Sequence, residues 1–181
     1  MITVAIIGAG PLGRRLALRA AQAGFHVVLE DVMPSSLRHA EETLREQLGP
    51  AAMPLVSFAS SVEDAVREAD LVIDCVPDEL ESKLEIFSLL DRMAPPRTVF
   101  TTPTTHLSIA DLASCTYRSG QCIGIAVDAA FLSDDPSITA PLPIRTTSRT
   151  TPEAQTLVSD FWAGLGYIPA VELDQAEALL R

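Results

Sequence analysis

The first residues with the means to bind a ligand are three glycines whose spacing suits phosphate groups. Gly8, Gly10 and Gly13 form the pattern G-x-G-x-x-G directly after the apolar residues "VAII". In this pattern the first glycine permits a tight turn, the second lets the backbone approach a pyrophosphate, and the third lets the next helix pack on the strand. Pro11 has no N–H but suits a first helical turn, while Leu12 and Gly13 still present theirs. The motif predicts a dinucleotide site.

An acidic residue lies where such a site needs a ribose contact. Asp31 comes 18 residues after Gly13 and directly follows the second apolar run. A carboxylate accepts hydrogen bonds from a ribose 2′-hydroxyl and repels a 2′-phosphate, so Asp31 predicts NAD rather than NADP. Glu30 is adjacent, but side chains alternate along a strand, and we expect Glu30 on the opposite side.

Strands and helices alternate in an order that brings these residues to one edge of a sheet. Apolar runs predict strands at about 2–7, 25–30, 54–58, 70–76, 97–102, 121–127, 142–147 and 167–171. Amphipathic segments predict helices at about 11–23, 35–48, 61–68, 79–93, 108–114 and 152–164, with a short one at 174–180. We therefore expect an α/β fold of the Rossmann type, formed by residues 1–181 as a single domain: a doubly wound, mostly parallel sheet with helices on both faces.

The composition limits the classes of partner. Thirteen basic and 24 acidic side chains give a net charge of −11, which repels nucleic-acid phosphates and anionic lipids. No apolar run approaches the roughly 18 residues of a membrane span, and the glycine motif begins too early for a signal peptide. Cys75 and Cys122 lie in apolar runs, as small core residues do, and no cysteine spacing indicates a metal. We expect a cytoplasmic protein without a metal, nucleic-acid or membrane partner.

Longer stretches of the sequence resemble the NAD-binding domain of the 3-hydroxyacyl-CoA dehydrogenase family. The resemblance runs from about residue 2 to residue 171 and is carried by "IIGAGPLGRRLA", "VVLED", "DLVIDCVPDELESKLEIFSLLDRMAPPRTVF", "TTHLSIADLA" and "TTPEA…GLGYIPAV". Related dehydrogenases share the glycines but not the long block at 70–113. The resemblance implies an oxidoreductase of fatty acid metabolism that uses NAD and acts on an acyl-CoA substrate.

The resemblance also implies cofactor contacts in the loop after the fourth predicted strand. It places an acid and a lysine that contact the cofactor at Asp78 and Lys83, in a loop that Val76 opens. Lys83 is the single lysine among the 13 basic residues. The apolar stripe of this helix, which includes Leu80 and Leu84, leaves Lys83 off the core face. The alternative for Lys83 is therefore a solvated side chain.

The residues that perform the family's chemistry do not all match. In the family a histidine accepts the substrate's hydroxyl proton and a glutamate orients that histidine. The histidine position is Ala126 here, and the glutamate position falls in 143–145, "PIR", which holds no acid. The loop that binds the substrate oxygen keeps a hydroxyl at Thr105, although Pro103 replaces an asparagine. The resemblance thus implies a site that lacks the family's base.

Two side chains are candidates to replace that base. His106 lies beside Thr105 at the ligand edge, where an imidazole can titrate near neutral pH. Asp128 lies two positions beyond Ala126. The alternatives are a histidine exposed in a loop and an acid that caps a turn.

Three functions remain open at this point. The first is an NAD-dependent oxidoreductase that acts with changed catalytic residues or with a helical partner chain. The second is a non-catalytic NAD-dependent sensor or regulatory module, and the third is a remnant of the fold that acts in protein association. Family enzymes continue into a helical domain that closes the substrate pocket and forms dimers, and we expect that domain to be missing after residue 181. The surface that it would cover should stay apolar, so a homodimer is a further expectation.

Overall fold

The computed structural model describes residues 1–127 and 141–180. Its strands are β1 (Thr3–Ile7), β2 (His26–Glu30), β3 (Val56–Ala59), β4 (Leu71–Asp74), β5 (Val99–Pro103), β6 (Cys122–Ile125), β7 (Pro141–Thr146) and β8 (Ile168–Leu173). Its helices are α1 (Pro11–Gln22), α2 (Pro34–Gln47), α3 (Val62–Val66), α4 (Leu80–Met93), α5 (Ile109–Ser114) and α6 (Pro152–Gly164). Short 3-10 turns lie at Met53–Leu55 and Ser119–Gln121. The eight predicted strands and the six longer predicted helices are confirmed.

The described strands form one sheet in the order β3-β2-β1-β4-β5-β6-β7-β8. Neighbouring strands run parallel except for the antiparallel pair β6 and β7. The order reverses between β1 and β4, and the register sets Ile7 beside both Glu30 and Asp74. The carboxyl ends of β1, β2 and β4 are therefore level, which leaves a crevice where open α/β sheets bind ligands. The expected Rossmann-type fold is confirmed.

Each face of the sheet carries its own layer of buried helix residues. On one face α1, α2 and α6 contribute residues such as Leu16, Leu44 and Trp162. On the other face α3, α4 and α5 contribute residues such as Phe87 and Leu112, among others. Burying one such side chain stabilises a fold by about 1.5–3 kcal/mol. The two helix layers therefore stabilise the sheet from both faces and fix the strand ends that form the crevice.

Hydroxyl side chains begin three of the helices. Ser61, Ser108 and Thr151 each accept a hydrogen bond from the backbone N–H three residues further on. This capping satisfies an N–H that has no partner inside the helix, and a cap of this kind contributes about 1 kcal/mol. The sequence indicated all three residues as caps.

The helix predicted at 174–180 is wrong. That segment is an extended strap along α5 instead, because its backbone donors and one acid bond outward. The Asp111 carboxylate accepts from the N–H groups of Leu179 and Leu180, at 2.7 and 3.1 Å. Asp174 in turn accepts from the Ile109 N–H at 2.7 Å. These long-range bonds replace the local ones that a short helix would need.

Candidate functional site

The glycine turn has the geometry that its three positions require. Gly8 adopts a φ of +102°, and a Cβ there would come within 3.0 Å of the Cys75 carbonyl oxygen. A Cβ on Gly13 would lie 1.8 Å from the Gly8 carbonyl oxygen, which no side chain can accommodate. A Cβ on Gly10, in contrast, would meet no atom within 4 Å. Two glycines therefore close the turn, and Gly10 leaves open space above it for an approaching ligand.

The helix after this turn presents its backbone donors to that open space. Gly10 is the N-cap of α1 and has no side chain to satisfy them, and Pro11 takes the first helical position. The first hydrogen bond along this helix runs from the Arg14 N–H to the Gly10 oxygen at 3.0 Å. The N–H groups of Leu12 and Gly13 lie ahead of that bond, where a helix supplies no acceptor. Together with the helix dipole they suit a phosphate group.

Asp31 is joined directly to the glycine turn. One carboxylate oxygen accepts from the Ala9 N–H at 2.9 Å, and the other accepts from the Met33 N–H at 2.8 Å. The side chain is half-buried, and carboxylate oxygens have lone pairs beyond those two bonds. Asp31 thus fixes the turn and still offers an acceptor at the edge of the crevice.

A cavity of about 510 Å³ lies beside the turn. Four residues predicted as cofactor contacts line it, namely Gly8, Gly10, Asp31 and Val76. The other lining residues are Ile7, Glu30, Val32, Val62, Cys75, Pro77 and Ile86. A mostly apolar cleft with a few polar groups at its rim is the usual form of a cofactor site, so the residues present fit the adenosine end of a dinucleotide.

Glu30, which we expected on the opposite side of the strand from the site, lines the same cavity as Asp31. Its side chain is only 4% exposed. Burial and the neighbouring Asp31 carboxylate raise the pKa of Glu30 to about 7, although the Gly8 N–H acts in the opposite direction. Glu30 pairs with Ile7 and Ala59, which belong to the α3 and α4 layer, and it lines the cavity together with Val62 of α3 and Ile86 of α4.

Lys83 is not solvated and does not lie off the core face. Its side chain is 1% exposed, and its Nζ lies 3.1 Å from Oδ2 of Asp74, which is itself fully buried. Asp74 also accepts from the Thr102 hydroxyl at 3.0 Å and from the Val76 N–H at 3.0 Å. Burial raises the pKa of Asp74, and the Lys83 ammonium opposes that rise. Lys83, Asp74 and Thr102 therefore form a buried polar cluster that connects α4 to the ends of β4 and β5.

Sequence reasoning missed Asp74, Thr102 and Glu30. A signal for the first was present: Asp74 interrupts the apolar run "LVIDCV", and the single lysine follows nine residues later. A charge inside a buried strand needs a partner, and this lysine is the first basic residue that follows Asp74 along the chain. No comparable signal marked Glu30, since its burial depends on how α3 and α4 pack.

Two side chains meet where the loops after β4 and β5 approach each other. Nδ1 of His106 lies 3.3 Å from Oδ2 of Asp78, with the two side chains 63% and 35% exposed. The other Asp78 oxygen is buried and has no hydrogen-bond partner among the described residues. Thr105 beside them is exposed, while the Thr104 hydroxyl accepts from the Leu107 N–H at 3.1 Å and shapes the loop. The structure therefore brings Asp78 and His106 together, outside the lining of the 510 Å³ cavity.

The position of the family's base lies opposite a proline. The Ala126 N–H donates to the Pro143 carbonyl oxygen at 3.2 Å, between β6 and β7. Two residue pairs further along these strands, Arg145 pairs with Gly124 and donates to the Leu107 carbonyl oxygen. Asp128, the other candidate base, lies outside the described residues.

Within residues 1–127 and 141–180, no group of three or more His, Cys, Asp or Glu side chains is arranged to hold a metal ion. No helix in those ranges combines the length and the apolar character of a membrane span.

Comparison with known proteins places this site in a family context. Residues 3–169 match the family model described as "3-hydroxyacyl-CoA dehydrogenase, NAD binding domain". The chain is 31% identical over 135 residues to a probable 3-hydroxybutyryl-CoA dehydrogenase of Bacillus subtilis, a match that covers 67% of this chain and 47% of that protein. It is 28% identical over 178 residues to the 5-formyl-3-hydroxy-2-methylpyridine 4-carboxylate 5-dehydrogenase of Mesorhizobium japonicum, covering 93% and 56%. The chain spans about half the length of these relatives.

Solved structures share the fold across most of the chain. A diketoreductase that acts on dicarbonyl compounds superposes with a TM-score of 0.83 at 25% identity, covering 99% of this chain and 67% of that one. An (S)-3-hydroxybutyryl-CoA dehydrogenase from Ralstonia eutropha gives a TM-score of 0.84 at 22% identity, covering 96% and 64%. The second likeness concerns the fold alone.

Proposed function

The chain belongs to the family of NAD-binding domains of 3-hydroxyacyl-CoA dehydrogenases, and from that premise we propose that it is an NAD(H)-dependent oxidoreductase domain with a weakened proton-transfer step. The observation that carries the proposal is the cavity beside the glycine turn, at which Gly8, Gly10 and Asp31 meet. NAD is the cofactor of this family's domain. When bound, NAD⁺ supplies the hydride acceptor.

The cofactor is held in this proposal by the residues that the sequence marked. Backbone N–H groups of Leu12 and Gly13 bind the phosphates, Asp31 binds the ribose, and Val76 packs against the adenosine. Asp78 is proposed as a further contact because its side chain is 35% exposed in the loop after β4, where a carboxylate can accept from a ribose hydroxyl. The cofactor contact predicted for Lys83 stays a prediction, since its ammonium lies against Asp74.

His106 is the proton acceptor in this proposal. Nδ1 of His106 faces Asp78, so the carboxylate orients the ring and Nε2 points away from it. His106 Nε2 would accept the proton of the substrate hydroxyl, and the neighbouring Thr105 hydroxyl would position the substrate oxygen, while bound NAD⁺ would supply the acceptor for the hydride. The imidazole is 63% exposed and is held by one carboxylate contact, so it is positioned less firmly than a buried side chain would be, and we propose a weakened step for this reason. The substrate class, by family, is a 3-hydroxyacyl thioester of coenzyme A.

The second candidate is an NAD(H)-responsive regulatory module without catalysis. It is favoured by the residues at the positions that the resemblance assigns to the base and to the acid that orients it: Ala126 at the first, and 143–145, which hold no acid, at the second. Turnover separates the two functions, because the first requires NADH production from 3-hydroxyacyl-CoA substrates and the second does not.

The test is the NAD⁺-dependent oxidation of a panel of 3-hydroxyacyl-CoA thioesters. His106→Gln should lower kcat by about 10²-fold or more, because it removes a general base. His39→Gln, an exposed histidine on α2, is the matched control and should leave the rate unchanged. Ala126→His should raise the rate. If the variants bind NADH but none of them oxidises a substrate, the result favours the regulatory module.

We also infer a homodimer and a cytoplasmic location. The edge strand β8 and the strap beyond it expose large apolar side chains, among them Ile168, Val171 and Leu173. Such a patch commonly marks a protein contact.

All three cysteines belong to the described residues and are free thiols, which suits a reducing compartment.

A further inference from the structure

Glu30 is an acidic side chain that the proposed function leaves without a role. It ends β2 between Ile7 of β1 and Ala59 of β3, and it lines the 510 Å³ cavity. Only 4% of it is exposed. Apolar residues from α3 and α4, Val62 and Ile86, line the same cavity. A carboxyl group buried on the floor of an apolar cleft is costly when ionised, so its charge depends on its neighbours.

Among the described residues, few other charges face Glu30. Asp74 lies beyond Ile7 at the same level of the sheet, and it is paired with Lys83 of α4. Among the described residues that line the cavity, the remaining ionisable side chains are Asp31 and Cys75, and burial raises the pKa of the Cys75 thiol so that it stays neutral. On α3, Glu63 and Asp64 are exposed. From α1, the Arg14 guanidinium donates to the Ala9 carbonyl oxygen at 3.1 Å. Asp31 is thus the charge that acts most strongly on Glu30.

Resting on the proposed function, we propose that Glu30 is a second specificity-determining residue of the cofactor site, whose proton strengthens the binding of NAD(H). A neutral Glu30 leaves one carboxylate, that of Asp31, facing the cofactor. An ionised Glu30 places a second negative charge in the same cleft, close to the anionic pyrophosphate. The 2′-phosphate of NADP(H) would suffer this repulsion more strongly, since it carries additional negative charge.

The direction of the pH dependence follows from this arrangement. The pKa of Glu30 is about 7 without the cofactor, and an anion bound nearby raises it further. Binding therefore takes up a proton, and the affinity for NADH falls as the pH rises through 7. We expect the dissociation constant of NADH to increase by about three- to tenfold between pH 6 and pH 8.5.

The experiment measures the Kd of NADH by cofactor fluorescence at pH 6.0 and pH 8.5. Wild type should bind three- to tenfold more weakly at the higher pH. Glu30→Gln is neutral at both values and should bind NADH with one affinity throughout, close to that of wild type at pH 6.0. Glu42→Gln, an exposed residue of α2, is the matched control and should keep the wild-type pH dependence.

Each outcome decides the matter. A Glu30→Gln variant with the same pH dependence as wild type would overturn the inference, as would a flat wild-type profile. Where Glu30→Gln fails to fold, a flat wild-type profile still overturns the inference, and Glu30→Asp, which keeps the carboxyl, should retain the dependence. Failure of wild type to bind NADH at any pH would instead contradict the proposed function.

Discussion

The acids at the carboxyl edge of the sheet differ in what surrounds them. Asp31 accepts two backbone N–H groups at a half-buried position, Asp74 is fully buried against Lys83, and Glu30 is buried without a cation beside it. The role of Asp31 could be predicted, because its distance from the glycines is a property of the sequence. The surroundings of Glu30 and Lys83 could not, because burial there arises when α3 and α4 pack across the strand ends.

Glu30 should make the stability of the fold depend on pH. Its pKa rises from 4.5 to about 7 on folding, so the folded protein holds the proton more tightly than the unfolded chain. The free energy of unfolding therefore falls as the pH rises from about 4.5 to about 7, and it stays low above that. Glu30→Gln should be more stable than wild type at pH 8, by about 2–3 kcal/mol, and nearly equal to it at pH 4.5. Urea unfolding of both proteins at pH 4.5 and pH 8 provides the measurement. The same stability difference between Glu30→Gln and wild type at both pH values would contradict the prediction.

The buried ion pair should be sensitive to the loss of either partner. Lys83→Met leaves Asp74 charged and buried without its cation, which should cost about 3–5 kcal/mol in urea unfolding. Arg92→Met, an exposed cation on the same helix, is the matched control and should change stability by less than about 0.5 kcal/mol. The double variant Lys83→Met with Asp74→Leu should recover much of the loss. Equal effects of Lys83→Met and Arg92→Met would show that the pair contributes nothing.

The elements of the fold were predictable because local signals agreed with one another. Apolar runs located the strands, and Ser61, Ser108 and Thr151 marked helix starts that the structure confirms. The error at 174–180 has a tertiary cause. The carboxylates of Asp111 and Asp174 accept hydrogen bonds that join α5 to the strap, and these bonds take the place of a local helix. Such pairings join residues more than 60 positions apart and leave no local pattern.

Two glycines of the turn should respond differently to the same substitution. Gly10→Ala places its Cβ in open space, so the protein should fold with near-normal stability but bind NADH at least tenfold more weakly. Gly13→Ala drives its Cβ into the Gly8 carbonyl oxygen and should destabilise the fold by several kcal/mol. Thermal unfolding and NADH titration of both variants provide the measurement. Normal NADH affinity in a folded Gly10→Ala variant would show that no ligand approaches there.

The molecule as a whole combines a complete sheet with an uncovered apolar edge. The described residues supply all eight strands of the sheet, yet β8 at its edge exposes Ile168, Val171 and Leu173. The family match extends to residue 169, which lies inside this last strand. A sequence reveals that such residues are apolar, but whether they are covered depends on partners that the pattern does not specify.

The exposed edge should cause association between copies of the chain. We expect light scattering after size exclusion to give twice the chain mass of 19.4 kDa at micromolar concentration. Val171→Ser combined with Leu173→Ser should shift the protein toward the monomer. Tyr117→Ser, which removes an exposed apolar side chain elsewhere, should leave the mass unchanged. A monomer at all concentrations would contradict the inferred dimer.

Titration of the chain with NADH at pH 6.5, followed by cofactor fluorescence, is the most direct measurement of whether the glycine turn holds a dinucleotide. We expect saturable binding in the micromolar range. Asp31→Ala should weaken it about tenfold or more, corresponding to about 1.4 kcal/mol, while Asp160→Ala on the exposed surface of α6 should not. An absence of saturable binding at millimolar NADH, or an unchanged affinity in Asp31→Ala, would contradict the account.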